Sequence, residues 1–131
     1  MCNRQLARSA SFRALGVGPY PRTCDRSSNL IFDTGATFVS ITSDFASRAK
    51  VATEPGSQLT LKAVGGVASA GIGYANSIRV GKAEALGVTV AVHRGNPFGD
   101  RVDGLLGMSF LSRFTVTLSP TGIELTAIPL R

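Results

Sequence analysis

The chain has 131 residues, the size of a single domain, with 44% hydrophobic and 17% charged residues. That composition is globular and excludes an intrinsically disordered chain. The formal net charge of +6 at pH 7 invites an acidic partner, but its distribution argues otherwise. Residues 1–29 carry Arg4, Arg8, Arg13, Arg22 and Arg26 against Asp25, and residues 30–131 are nearly balanced. The first segment shows neither helical nor strand periodicity and reads as a basic, flexible leader. Its arginines have only Phe12 and Tyr20 among them, which argues against specific nucleic-acid binding.

From Leu30 the character changes. Leu30-Ile31-Phe32 is a short apolar run that Asp33-Thr34-Gly35 interrupts and Phe38-Val39-Ser40-Ile41 resumes. Ser43 to Lys50 predicts a short helix, with Thr42 or Ser43 as N-cap and Phe45 and Ala49 on one face. Residues 58–63 alternate like a half-buried strand, Gly65-Gly66 is a turn, and residues 67–80 predict a long strand in which Gly71 and Gly73 mark bends or bulges. Gly81-Lys82 is a turn, residues 87–92 a strand, and residues 95–99 a loop around Asn96-Pro97. Leu105-Leu106 is a second brief apolar run ended by Gly107, and Ser109 to Phe114 predicts one or two helical turns. Residues 115–118 and 123–126 flank Ser119 to Gly122, a hairpin with a four-residue connection.

Short strands punctuated by glycine turns predict an all-β domain, a small and mostly antiparallel barrel or sandwich with one or two short helices. The pattern has no βαβ alternation of the kind that builds a parallel sheet. No apolar run approaches the ~18 residues of a membrane span, and no apolar core of a secretory signal is visible. The chain as given therefore reads as soluble, with no membrane span. Cys2 and Cys24 are too few for a disulfide framework and read as free thiols in the leader. His93, the sole histidine, argues against a zinc site and reads as a strand-end or loop residue.

The chemistry-bearing segment is Asp33-Thr34-Gly35-Ala36. A carboxylate emerging from an apolar strand into a glycine turn must be hydrogen-bonded to remain ionised at low cost. Gly35 lets the backbone approach a neighbour, and the Thr34 hydroxyl can lock the loop to another backbone. This tetrapeptide resembles the catalytic loop of the retropepsin-like, or retroviral-type, aspartic proteases, especially their small bacterial members. Gly65-Gly66 between two strands resembles the flap of that family. Asp103-Gly104-Leu105-Leu106-Gly107, running into Met108-Ser109-Phe110-Leu111, resembles its second signature. Asp-Thr-Gly alone is a weak signal; joined to Leu-Leu-Gly about seventy residues later it is a strong one.

The resemblance implies a small closed antiparallel barrel of the acid-protease type over residues 30–131. It implies an aspartic endopeptidase that hydrolyses a peptide or protein substrate with an activated water and needs no metal or organic cofactor. Such chemistry uses two carboxylates sharing one proton, and this chain offers a single Asp-Thr-Gly. The second carboxylate is therefore expected from another copy, in a two-fold homodimer with Asp33 of each chain at the axis. Thr34, Gly35 and Ala36 shape the active-site loop, Gly65 and Gly66 form the flap, and Asp103, Gly104, Leu105, Leu106 and Gly107 are structural. Asp103 is expected to cap or pair locally, and Tyr74 lies too far past the turn to serve the flap. The polar stretch 24–29 lacks the alternating strand that precedes the catalytic loop in the family. Bacterial relatives place the chain in the cytoplasm or periplasm, often behind an anchor. Two other readings remain: a catalytically inactive dimerising or peptide-binding module on the same fold, and a binder of nucleic acid or anionic membrane driven by the leader.

Overall fold

The computed structural model describes residues 9–13, 26–63 and 66–128; Cys2, Cys24 and Gly65 lie outside them. The elements follow in the order β1 (Ser9–Arg13), β2 (Arg26–Phe32), β3 (Val39–Thr42), α1 (Ser43–Arg48), β4 (Ala52–Thr53), β5 (Leu59–Ala63), β6 (Gly66–Val80), β7 (Ala83–His93), β8 (Gly104–Leu106), α2 (Met108–Leu111), β9 (Phe114–Ser119) and β10 (Gly122–Ala127). One sheet runs β1-β2-β8-β3-β7-β6-β4, with β5 joined to β6 and a further pairing between β1 and β6. β9 and β10 form a separate two-stranded sheet.

Apolar side chains from both ends of the chain meet in one core. Val39, Ile41, Phe45, Ile78, Val88, Val90, Phe110 and Leu111 are its largest fully buried members. Each such side chain contributes about 1.5–3 kcal/mol relative to an exposed position. Helix α1 starts where Thr42, in extended conformation, accepts the Phe45 N–H on Oγ1 at 3.1 Å. Asp44 lies in its first turn and Arg48 in its last, which complements the helix dipole. The helix ends at Arg48 with Ala49 as C-cap; Lys50 beyond it takes a left-handed φ of 56°, and the Val51 N–H returns to the Ala46 carbonyl at 2.9 Å. A turn at Glu54-Pro55-Gly56-Ser57 follows. Its Ser57 N–H reaches the Glu54 carbonyl at 3.2 Å, and Gly56 supplies a φ of +75°.

The structure departs from the sequence expectations at several places. Residues 9–13 and 26–29, assigned to an unpatterned leader, form β1 and the start of β2. β1 pairs antiparallel with β2 (Ser9↔Asn29) and with β6 (Ser11↔Arg79). Pairing of this kind depends on backbone groups and leaves no hydrophobic period to read. The expected antiparallel arrangement is in fact mixed. β2 and β8 are parallel (Leu30↔Gly104), as are β3 and β7 (Val39↔Val90). Both crossovers contain α1 together with several strands, rather than a single helix packed between neighbouring parallel strands. β6 runs through Gly71 and Gly73 unbroken and with no bulge in its register against β7. A Cβ on Gly73 would stand 2.9 Å from the Ala52 carbonyl oxygen, so the glycine admits β4 against β6. The β9–β10 connection is two residues rather than four, because Ser119 pairs with Gly122.

Candidate active site

Strand β8 is the element that builds the site. It lies between β2, with which it is parallel, and β3, with which it is antiparallel (Ser40↔Leu105). β8 begins with Gly104 and is followed directly by Gly107, and both glycines are there for space. A Cβ on Gly104 would overlap the Ser40 carbonyl oxygen and stand 2.7 Å from its carbon. A Cβ on Gly107 would overlap the Phe38 carbonyl oxygen and stand 2.8 Å from that of Ala36. Leu105 is half-buried and Leu106 is in the core.

Asp33 is the first residue beyond β2, and β8 holds its backbone. Its N–H donates to the Leu106 carbonyl at 3.1 Å, and its carbonyl accepts the Ala36 N–H at 3.3 Å. The side chain folds back on the turn: Oδ1 accepts the Gly35 N–H at 2.9 Å. Gly35 permits this, since a Cβ there would press on Oδ1 at 3.2 Å. The loop is tied down again where the Met108 N–H donates to the Ala36 carbonyl at 2.7 Å. Asp33 and Ala36 are half-buried, and Thr34 and Gly35 are exposed. The Thr34 hydroxyl has no hydrogen-bond partner among the described residues. The carboxylate is thus held by one short-range hydrogen bond and remains open on its other oxygen. A carboxylate so placed can accept a proton from a bound water, provided a second acidic group donates to the substrate.

Asp103 does not supply that group within the chain. It sits at the opposite end of β8, where its N–H donates to the Asn29 carbonyl at 2.8 Å and its Oδ2 accepts the Asn29 N–H at 2.8 Å. Four residues of strand separate it from the Asp33 end, roughly 13 Å at the rise of a β-strand. Arg48 approaches its Oδ1 at 3.6 Å, and its carbonyl accepts the Thr42 N–H at 3.0 Å. The pairing is therefore long-range, joining β2, β3 and α1, rather than local.

β5 and β6 form the hairpin that the sequence assigned to the flap. Ala63 pairs with Gly66, whose φ is 129°, and Val67 beyond it is 71% exposed. Gly65 falls outside the described residues. Tyr74 lies farther along β6, exposed, opposite Thr89 and Ala52. A groove of about 500 Å³ opens at the base of this hairpin, lined by Thr53, Glu54, Ser57, Ala70, Val92 and Arg94 among others. Asp33 is not among its walls. His93 ends β7 and is buried, edge-on to Phe98 with ring centroids 5.2 Å apart. Its Nε2 has no hydrogen-bond partner, and burial pushes the imidazole below its ordinary pKa. Among the described residues no cluster of His, Cys, Asp and Glu is arranged to hold a metal ion, and no helix is long and apolar enough to cross a membrane.

Sequence reasoning passed over Ser109. Its hydroxyl accepts the Val39 N–H at 2.8 Å and donates to the Thr89 carbonyl at 2.7 Å. No local pattern marks it, because both partners are distant backbone groups.

The Asp-Thr-Gly turn and the strand inserted beside it together present one half-buried carboxylate on a loop anchored at both ends. Residues 24–113 match the family model described as "gag-polyprotein putative aspartyl protease", and the chain belongs to this retropepsin-like family. No curated protein matches the sequence. Among solved structures, the chain is similar to a retropepsin-like aspartic protease from Rickettsia conorii, with 24% identity and a TM-score of 0.52. The similarity covers 76% of this chain and 72% of that one. At that identity the likeness establishes the fold.

Proposed function

We propose that the chain is an aspartic endopeptidase whose active site is completed by a second copy of itself. The observation that carries this reading is Asp33. It is a half-buried carboxylate, held through Oδ1 by the Gly35 N–H at 2.9 Å in a loop anchored to β8, with no second carboxylate paired with it among the described residues. Two such loops facing each other across a two-fold axis make the pair the reaction needs. One carboxylate takes a proton from water as the water attacks the scissile carbonyl, and the other donates a proton to that carbonyl oxygen. The exposed Thr34 hydroxyl is then available to the facing loop. Gly66, paired with Ala63 at the end of the β5–β6 hairpin, would with the preceding Gly65 belong to a flap over an extended peptide.

Two features support this arrangement. β1 pairs with β2 on one side and with β6 on the other, which favours a closed barrel. The β9–β10 hairpin has one apolar face, with Phe114, Val116 and Leu118 opposite Ala127, Leu125 and Ile123. Phe114 is buried at its base, whereas Leu118 is 68% and Ile123 49% exposed at its tip. The apolar pair at the tip, Leu118 and Ile123, which the core does not cover, suits a self-complementary contact.

Sedimentation and peptide cleavage, measured together on the full chain and its Asp33→Asn variant, test the proposal. The expected result is a dimer in both and cleavage only with Asp33. Cleavage that survives the substitution overturns the role of Asp33. A dimer that binds peptides without cutting them identifies a non-catalytic module.

A further inference from the structure

We infer that Ser109 is a positioning residue for the Asp33 loop, an inference that rests on the aspartic-protease reading above. Segment 106–109 grips the loop at three successive points. Leu106 accepts from the Asp33 N–H at the entry, at 3.1 Å, and Met108 donates to the Ala36 carbonyl in the middle, at 2.7 Å. Ser109 accepts from the Val39 N–H at the exit, at 2.8 Å. The first two contacts are backbone to backbone, so no side-chain replacement removes their atoms. The third is a side chain, and it is the one a substitution can delete.

The hydroxyl uses both of its capacities. It accepts a hydrogen bond from the N–H of Val39, the first residue of β3, and donates one to the Thr89 carbonyl of β7, at 2.7 Å. Val39 is fully buried and Thr89 half-buried, so water is poorly placed to replace the hydroxyl at the β3 end. Removing it leaves a buried N–H without an acceptor, which is unfavourable where the chain is packed. The strand end can recover that hydrogen bond only by moving. Such a movement is passed to Phe38, Thr37 and Ala36, and through the turn to the Gly35 N–H that holds the Asp33 carboxylate. Ser109 touches neither the substrate nor the reacting atoms. It acts by keeping the loop exit fixed relative to β7 while β8 fixes the entry.

The experiment compares wild type with Ser109→Ala, Ser109→Cys and Ser109→Thr. It measures kcat and KM for peptide cleavage, and amide hydrogen exchange at Gly35, Val39 and the β6–β7 strands. In Ser109→Ala, kcat is expected to fall on the order of 10–100-fold while KM stays within about twofold, as for a loss of alignment rather than binding. Exchange at Val39 and Gly35 should accelerate while that of the β6–β7 strands is preserved. Thr keeps the hydroxyl and should restore kcat to within a few-fold. Cys, close to serine in size with a weakly bonding thiol, should fall between and carries the same expectation if the alanine variant does not fold. Unchanged kcat and unchanged loop exchange in Ala or Cys overturn the inference. So does a uniform loss of protection across β6 and β7, which marks a purely structural role. If wild type cleaves no peptide, the proposed function has failed, and the exchange measurements still decide whether Ser109 holds the loop.

Discussion

Replacing Gly107 with alanine tests whether the site depends on the close approach of β8 to the Asp33 loop. The backbone of Gly107 is in an ordinary extended conformation, with φ −101° and ψ −170°. Alanine therefore carries no conformational penalty there, and any effect is steric. The added Cβ would overlap the Phe38 carbonyl oxygen and stand 2.6 Å from its carbon and 2.8 Å from the Ala36 oxygen. Bringing that carbon to ordinary contact at 3.4 Å requires a shift of about 0.8 Å, in backbone that has no flexible side chain to yield. Overpacking of this kind costs about 1–3 kcal/mol, or more when the neighbour is backbone. The Ala36 carbonyl is also the acceptor of the Met108 N–H at 2.7 Å, so the movement strikes one of the anchors of the loop. Urea unfolding should show a lower midpoint at unchanged slope, and cleavage should fall on the order of 10²-fold from the displaced loop. Gly56→Ala is the control: its Cβ meets nothing within 4 Å, but its φ is +75°. It should cost about 1–2 kcal/mol through backbone strain alone and leave catalysis intact. A Gly107→Ala protein with wild-type stability and activity would refute the idea that packing of β8 sets the loop.

Three further outcomes are expected. Lys50→Gly relieves a left-handed lysine at the end of α1 and should raise stability by about 1 kcal/mol, read as an increased denaturation midpoint. Asp103→Ala leaves the Asn29 N–H without its side-chain acceptor and should cost about 1–3 kcal/mol, while Asp103→Asn, which keeps an acceptor oxygen, should cost less. Burial holds the His93 imidazole neutral below its ordinary pKa of about 6.5. The unfolded chain therefore binds the proton first, and stability should fall as pH drops from about 7 towards 5.5, by at most ~1.4 kcal/mol per pH unit from this group. His93→Gln should flatten that slope in a denaturation series; an unaltered slope assigns the dependence to other groups.

Much of the site was legible because its parts are local. An apolar run that meets Asp33, Thr34 and Gly35 reports a carboxylate in a tight turn, since the turn needs only the residues that make it. The helix after Thr42 was equally visible, as its cap is Thr42 Oγ1 and the N–H of Phe45 three residues on. Gly104 and Gly107 could be identified as a bracket around Leu105-Leu106. The reason for them could not, because the atoms they avoid, the carbonyls of Ser40 and of Phe38 and Ala36, are some sixty to seventy residues away in the chain. β1 escaped notice for a related reason. Ser9–Arg13 has its place through hydrogen bonds to β2 and β6, and backbone pairing leaves no mark in the pattern of side chains.

The amino-acid order by itself determined the mostly β character, the placement of the Asp33 carboxylate in a glycine turn, and the single copy of Asp-Thr-Gly in the sequence. Those properties follow from residue type and short-range geometry, which any segment expresses wherever it lies. Tertiary structure decided which strands lie side by side and in which direction. It put β8 between β2 and β3, set Asp103 and Asp33 at opposite ends of it, and brought the Ser109 hydroxyl between Val39 and Thr89. Such contacts depend on where distant backbone groups come to rest once the common core has formed, and no periodicity in the sequence encodes that position.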